Sequence, residues 1–437
     1  MYITIIIIFA LGYLAIALEH SIKINKAATA LLIGVICWTF LVFGSPSIFP
    51  NLSSEAAIRF LSESLLKHIG EISEILFFLL GAMTIVEIMD AHEGFSIITN
   101  KIRIKKKSHL LWVLSIITFF LSAVLDNLTT SIVMAAMLRK IIKNKQDLWL
   151  FASMVIIAAN AGGAWSPIGD VTTIMLWIGG QITAVNIITK ILVPSLVSAF
   201  VPLAVISLRM KGVIEVENAI ITTINSNTKS VSNFERKLVF FTGIVILLFV
   251  PIFKNWTHLP PFMGVLFGLS LLWILTELLH KSKNEEHRKS LSISGIIQRV
   301  DTPSILFFLG ILTAVAALQT GGHLSQLSNI LGANFNNVYV INGFIGVMSS
   351  IIDNVPMVAA AMGMYSIDLY PVDSTFWELL ALCAGTGGSI LIIGSAAGIA
   401  VMGIFKIDFM WYFKKISWIA FLGYLAGILA FILLNLS

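Results

Sequence analysis

The sequence reads as an all-α polytopic membrane protein made of two inverted structural repeats. Its composition, the length of its apolar runs and an internal duplication each lead there. Of 437 residues, 57% are hydrophobic and 12% charged, where soluble domains carry about 25% charged residues. No soluble core buries that much apolar side chain, so the surface must face lipid. Many apolar runs reach the ~17–25 residues a helix needs to span a bilayer, among them 2–18, 27–43, 75–89, 185–208, 238–253, 260–279, 303–319 and 416–434.

The formal charge of +5 does not point to nucleic acid, because the Lys and Arg residues sit in loops between apolar runs, where the positive-inside rule puts them. Basic clusters at 20–26, 101–109, 139–145, 209–211, 280–289 and 406–415 are therefore expected in the cytoplasm. The first apolar run lacks a basic stretch before it and a small-residue cleavage site after it, so it reads as a retained helix. Cys37 and Cys383 both lie in apolar runs and read as small core residues rather than a disulfide or metal pair.

Two of those basic clusters flank "LDNLTTSIVM" at 125–134. The chain enters from the cytoplasm near 110 and must be back by about 139. The return arm after Asn127 spans roughly 18 Å of helix, short of the ~30 Å hydrocarbon core. A re-entrant hairpin at about 110–139, with Asp126 and Asn127 at its tip, fits better than two crossings. "IDNVPMVAA" at 352–360 repeats the Asp-Asn pair as Asp353 and Asn354, but its flanks at 321–339 and 366–375 contain no Lys or Arg. That hairpin, about 338–366, should enter from outside, inverted relative to the first.

Other matches follow in order, as an internal repeat requires. "ILFFL" occurs at 75–79 and 305–309, a shift of 230, and the Asp-Asn pairs differ by 227. "NAGGAWSPIGDVTT" at 160–173 and "GTGGSILIIGSAAG" at 385–398 share three glycines at a shift of 225. The division that results is a first repeat at 1–209 with a glycine-broken helix at about 147–180, a cytoplasmic linker at 210–236, and a second repeat at 237–437 with a broken helix at about 375–404. It contains about ten crossings and two hairpins, with both termini outside. Segments 51–70 and 321–336 are too polar to span and read as amphipathic helices at the outer surface.

Inverted repeats with a broken helix in each half point to a secondary transporter with its site at the midplane. Non-helical backbone survives at that depth only when buried in protein or lining a wet cavity. The expected site gathers Asp126, Asp170 and Asp353, with Asn127, Thr129, Asn160, Thr172, Thr173, Asn354, Thr386, Ser389 and Ser395 around them and no Lys or Arg. A carboxylate at a helix centre costs about 2.5–3.5 kcal/mol on insertion scales, so three need a reason. Carboxylate, amide and hydroxyl oxygens suit a hard cation such as Na⁺ or Li⁺. Asn127, Asn354 and Thr173 would supply neutral oxygens. Crowded carboxylates in low dielectric should not all stay ionised when no cation is bound. Protons and metal ions then compete for the same oxygens, and a coupled cluster titrates as a unit.

Plainer readings stand beside these. Each Asp-Asn pair, and Asp170 after "SPIG", could cap a helix. Glu87 and Asp90 read as vestibule or interfacial residues, and Glu71 and Glu74 as a solvated helix start. His92, His109 and His323 fall near loops. No Ser-His or metal-ligand constellation lies within the crossings, so neither an enzyme nor a resident cofactor is expected.

At these motifs the sequence resembles the NhaD-type Na⁺/H⁺ antiporters of the ion-transporter superfamily, which also holds arsenite permeases and dicarboxylate carriers. The likeness runs over nearly the whole chain and is carried by the two Asp-Asn segments and the two glycine-rich segments. It implies exchange of cytoplasmic Na⁺ or Li⁺ for external H⁺ across a bacterial inner membrane, with the Asp-Asn pairs and Asp170 at the site. It also implies re-entrant hairpins and a homodimer. The related dicarboxylate carriers bear Ser-Asn-Thr at their hairpin tips. Asp126 and Asp353 stand in that place here, which favours a cation over a Na⁺-coupled anion or dicarboxylate symporter, or an arsenite permease, on the same fold.

Overall fold

The computed structural model describes residues 1–99, 104–214, 231–281, 291–334 and 337–436. Most of the linker expected at 210–236, and parts of the basic clusters at 101–109 and 280–289, lie outside the described residues. Within them the protein is all-α. The one extended pairing is an isolated antiparallel bridge between Lys106 and Val213.

The principal helices are α1 (Tyr2–Ala17), α2 (Lys26–Phe43), α3 (Ser54–Ala91), α4 (Lys107–Leu125), α5 (Asn127–Ile141), α6 (Lys145–Ala164), α7 (Val171–Ile178) and α8 (Ala184–Arg209). After the linker come α9 (Asn233–Thr257), α10 (Pro261–His280), α11 (Thr302–Thr320), α12 (Val338–Ser349), α13 (Asn354–Met364), α14 (Thr375–Gly387), α15 (Ala396–Phe405) and α16 (Trp418–Leu436). Nine helices among the described residues are long and apolar enough to cross a membrane, and the protein is a multi-pass integral membrane protein.

One element departs from the sequence reading. Segment 51–70 is not a separate surface helix but the first half of α3, a single helix of 38 residues, ~57 Å long. Ser53 starts it by accepting a bond from the Ala56 N–H. Nothing after that interrupts it: Gly70 and Gly81 cost a helix only about 1 kcal/mol each.

Residues in or beside the clusters at 101–109, 139–145, 209–211 and 406–415 gather at one end of the molecule. Lys107 Nζ lies 2.6 Å from Asp147 Oδ2, the Ile214 N–H donates to the Lys105 carbonyl, Trp149 Nε1 donates to the Phe405 carbonyl at 3.2 Å, and Arg236 pairs with Glu93. At the opposite end the contacts are of another kind. Tyr2 stacks on His323 with ring centroids 3.8 Å apart, His68 bonds Thr320, and Asp373 accepts from the backbone and hydroxyl of Thr183.

The two halves of the chain are clasped along α2 and α11. A Cβ on Gly34 would lie 2.8 Å from the Gly310 carbonyl oxygen, and Trp38 Nε1 donates to the Thr313 carbonyl. Small residues permit this approach, the usual basis of helix association where lipid removes the hydrophobic drive. Cys37 and Cys383 are both buried and unpaired to each other.

Candidate functional site

Four helices begin at the centre of the molecule, and each is capped by a side chain singled out above. Asp126 joins α4 to α5. Its Oδ1 accepts the Thr129 N–H at 2.7 Å and its Oδ2 the Thr129 hydroxyl at 2.8 Å. The backbone there has φ 87 and ψ 160, a region almost confined to glycine, at a cost of about 1–3 kcal/mol. Asp353 starts α13, accepting from the Val355 N–H at 3.4 Å, with φ −44 and no such strain.

The breaks between α6 and α7 and between α14 and α15 supply the other two caps. Asp170 accepts the Thr172 N–H at 2.9 Å, and its own N–H reaches the Thr173 hydroxyl. Ser395 accepts the Gly398 N–H at 3.1 Å. The two capping residues have nearly the same backbone, φ −147 and ψ 147 against φ −145 and ψ 152. Ser122 donates to the Ala159 carbonyl and Ser349 to the Ala384 carbonyl, so the first contact recurs 227 and 225 residues further on.

Side chains join these four starts into one buried network. The Asn127 amide donates to Asp170 Oδ2 at 2.7 Å and to Asn160 Oδ1 at 3.1 Å. Across the molecule, the Asn354 amide donates to both oxygens of Asp170 at 3.3 Å. Asn160 donates onward to the hydroxyls of Ser389 and Ser395, each at 2.9 Å. Asp170 thus receives one amide from each half of the chain, and Asn160 reaches the second broken helix.

Charges explain why carboxylates persist here. Each helix start carries a partial positive charge of roughly half an electron, which stabilises an adjacent anion. Three of the four starts hold an aspartate. The capping and binding readings of these residues therefore describe the same geometry.

The remaining candidates divide. Thr172 is fully buried, with its hydroxyl beside the Asp170 carboxylate. The Thr173 hydroxyl closes the Asp170 cap, whereas the Thr386 hydroxyl is spent on the Leu382 carbonyl within its own helix. No three His, Cys, Asp or Glu side chains among the described residues lie close enough to share one metal ion. In this conformation Asp126, Asp170 and Asp353 are neighbours rather than a closed cage.

Four features escape the sequence reading. Lys26 reaches Asp353, with Nζ 3.6 Å from Oδ2, so the surroundings of the site are not free of Lys. From sequence it reads as the last residue of the basic cluster at 20–26, expected in the cytoplasm. A lysine at the first position of a helix, where the dipole disfavours it, is the signal that could have marked it. His92, in the turn that closes α3, is fully buried, its ring stacked on that of His280 with the Nε2 atoms 3.1 Å apart. Glu378 in α14 is buried and accepts a hydrogen bond from Asn186, and His323 is buried as well.

The chain matches the family model described as Citrate transporter over residues 6–382. It is 48% identical to "Sodium/proton antiporter 1" of Arabidopsis thaliana, the match covering 98% of this chain and 71% of the relative. With "Sodium/proton antiporter 2" of the same plant the identity is 45%, over 98% of each chain. The "Na(+)/H(+) antiporter NhaD" of Vibrio cholerae is 30% identical over 98% of this chain and 91% of its own.

Proposed function

Because the chain belongs to the citrate-transporter family, and within it to the NhaD-type sodium/proton antiporters, we propose that it is a secondary antiporter exchanging cytoplasmic Na⁺ or Li⁺ for external H⁺. The observation that carries this reading is the convergence of amides from both halves of the chain on one buried carboxylate, Asp170. Asp126, Asp170 and Asp353 bind the cation or the proton. Asn127, Asn354, Thr172 and Thr173 add neutral oxygens. Asn160 and Ser389 hold the second broken helix to the network.

The amides are suited to a site that must accept two kinds of cargo. An Asn side chain carries a donor and an acceptor on one rigid plane. With no metal bound, Asn127 and Asn354 turn N–H toward Asp170; a half-turn brings Oδ1 toward an arriving Na⁺. Protonation of the carboxylates discharges the cation, and the two loads alternate.

The halves act as inverted repeats of 1–209 and 237–437, and alternating access follows when one set of elements moves against the other. The end bearing Lys105, Lys107 and Lys406 faces the cytoplasm by the positive-inside rule, with both termini outside. We take the membrane to be the bacterial inner membrane and the assembly to be a homodimer. No catalysis is part of this reading.

A citrate-like anion is the second reading, favoured by the family model's description and by the convergence of four helix starts, which are anion sites when vacant. Here aspartates occupy three of them and would repel a carboxylate cargo. Addition of cation or anion to everted vesicles holding a pH gradient tests both. Na⁺ or Li⁺ should dissipate the gradient in the wild type and fail to do so in Asp126→Asn. Dissipation by citrate alone, or full Na⁺ activity in Asp126→Asn, would overturn the assignment.

A further inference from the structure

Lys26 has no role in the site as described so far. Its ammonium lies 3.6 Å from Asp353 Oδ2, with 17% of the lysine side chain and 8% of the aspartate exposed. It also sits 4.4 Å from the centroid of the Phe307 ring. The contact joins the start of α2 in the first half to the start of α13 in the second. Below it lies a cavity of about 40 Å³ lined by Tyr13, Glu19, Lys26 and Asp353 among others, large enough for a water or a dehydrated monovalent ion.

The placement is unfavourable by local rules. Lys26 is the first residue of α2, where a positive charge opposes the helix dipole by about 0.3–1 kcal/mol. Its backbone N–H is bound to the Glu19 carboxylate, and its side chain turns inward to a carboxylate and an aromatic face rather than outward to the interface. Asp353 therefore already has a +1 partner that cannot leave the protein. A Na⁺ approaching Asp353 meets that charge and must separate the pair to use the same oxygens.

Resting on the antiporter reading, we infer that Lys26 is a tethered competitor for Asp353: it occupies the carboxylate when no ion is bound and thereby sets the apparent affinity for the transported cation. This makes it a residue acting through Asp353, not a ligand. The pair bridges the two halves, so its opening on ion binding also removes a contact between them.

Na⁺-dependent thermal stabilisation of the purified full-length protein, at one alkaline pH and constant ionic strength made up with choline, reads binding without transport. Saturable stabilisation of the wild type by Na⁺ is the premise, and its absence would count against the antiporter reading rather than against Lys26. Given it, Lys26→Gln should lower the half-saturating Na⁺ concentration about fivefold, the scale of a partly exposed ion pair. Lys26→Arg, whose guanidinium grips a carboxylate at two points, should leave it unchanged or raise it. In an Asp353→Asn background the Gln substitution should have no further effect. Half-saturation unchanged or raised in Lys26→Gln, or a drop of equal size without Asp353, would overturn the inference. Should Lys26→Gln not purify, a half-saturation lower in Lys26→Arg than in the wild type would do the same.

Discussion

Asp170→Ser is expected to leave the protein folded and to abolish Na⁺- and Li⁺-driven dissipation of a pH gradient, by about 100-fold or ~3 kcal/mol. Serine is the instructive replacement because Ser395 holds the matching cap with nearly the same φ and ψ. A hydroxyl there accepts the helix N–H, so α7 keeps its start. What is lost is the charge and the second oxygen that receive Asn127 and Asn354. Asp170→Asn is a harsher change, since its own amide would face another N–H donor and strand it at ~1–3 kcal/mol. Melting of the purified variant beside the vesicle assay separates the two effects. Retained exchange in Asp170→Ser would reduce the aspartate to a cap.

Gly162→Ala and Gly387→Ala are expected to destabilise the protein by about 3 kcal/mol or more each, beyond the usual 1–3 kcal/mol of overpacking. A Cβ at Gly162 would lie 2.1 Å from the Phe119 carbonyl oxygen, and one at Gly387 2.1 Å from that of Gly346. Both obstacles are backbone atoms, so no rotamer change relieves them. Either α4 must part from α6, or α12 from α14, and the Ser122 and Ser349 bonds across those seams break with them. Gly343→Ala is the control: it shares α12 with Gly346, but its nearest neighbour is a side-chain atom at 3.9 Å. Its melting temperature should stay within the effect of about 0.5 kcal/mol. Equal melting of Gly162→Ala and the wild type would contradict the close packing described.

The sequence carried the class and the location of the candidate site because both leave marks that a reader can match. Lipid-facing helices show as long apolar runs, and the helix breaks show as glycines beside Asp170 and Ser395. Partnership was less legible. Asn127 and Asn354 were visible as members of Asp-Asn pairs, but nothing local says that both turn to Asp170 rather than to each other. Lys26 and Asp353 are separated by more than three hundred residues, and one sits in a basic cluster that the positive-inside rule assigns to the cytoplasm. The pairing of His92 with His280 was hidden for the same reason. The polarity of 51–70 suggests a separate helix, but polarity only moves a helix out of lipid, and without Pro or a cap it continues.

The central claim is that the carboxylates at the meeting point of the two halves exchange a metal cation for protons. Purified protein reconstituted into liposomes with an acidic interior and exposed to radioactive Na⁺, with the membrane potential clamped, tests it most directly. The account predicts Na⁺ accumulation driven by the pH gradient, suppressed by excess unlabelled Na⁺ or Li⁺, indifferent to citrate and absent in Asp170→Ser. Citrate uptake with no Na⁺ movement against the proton gradient would contradict it.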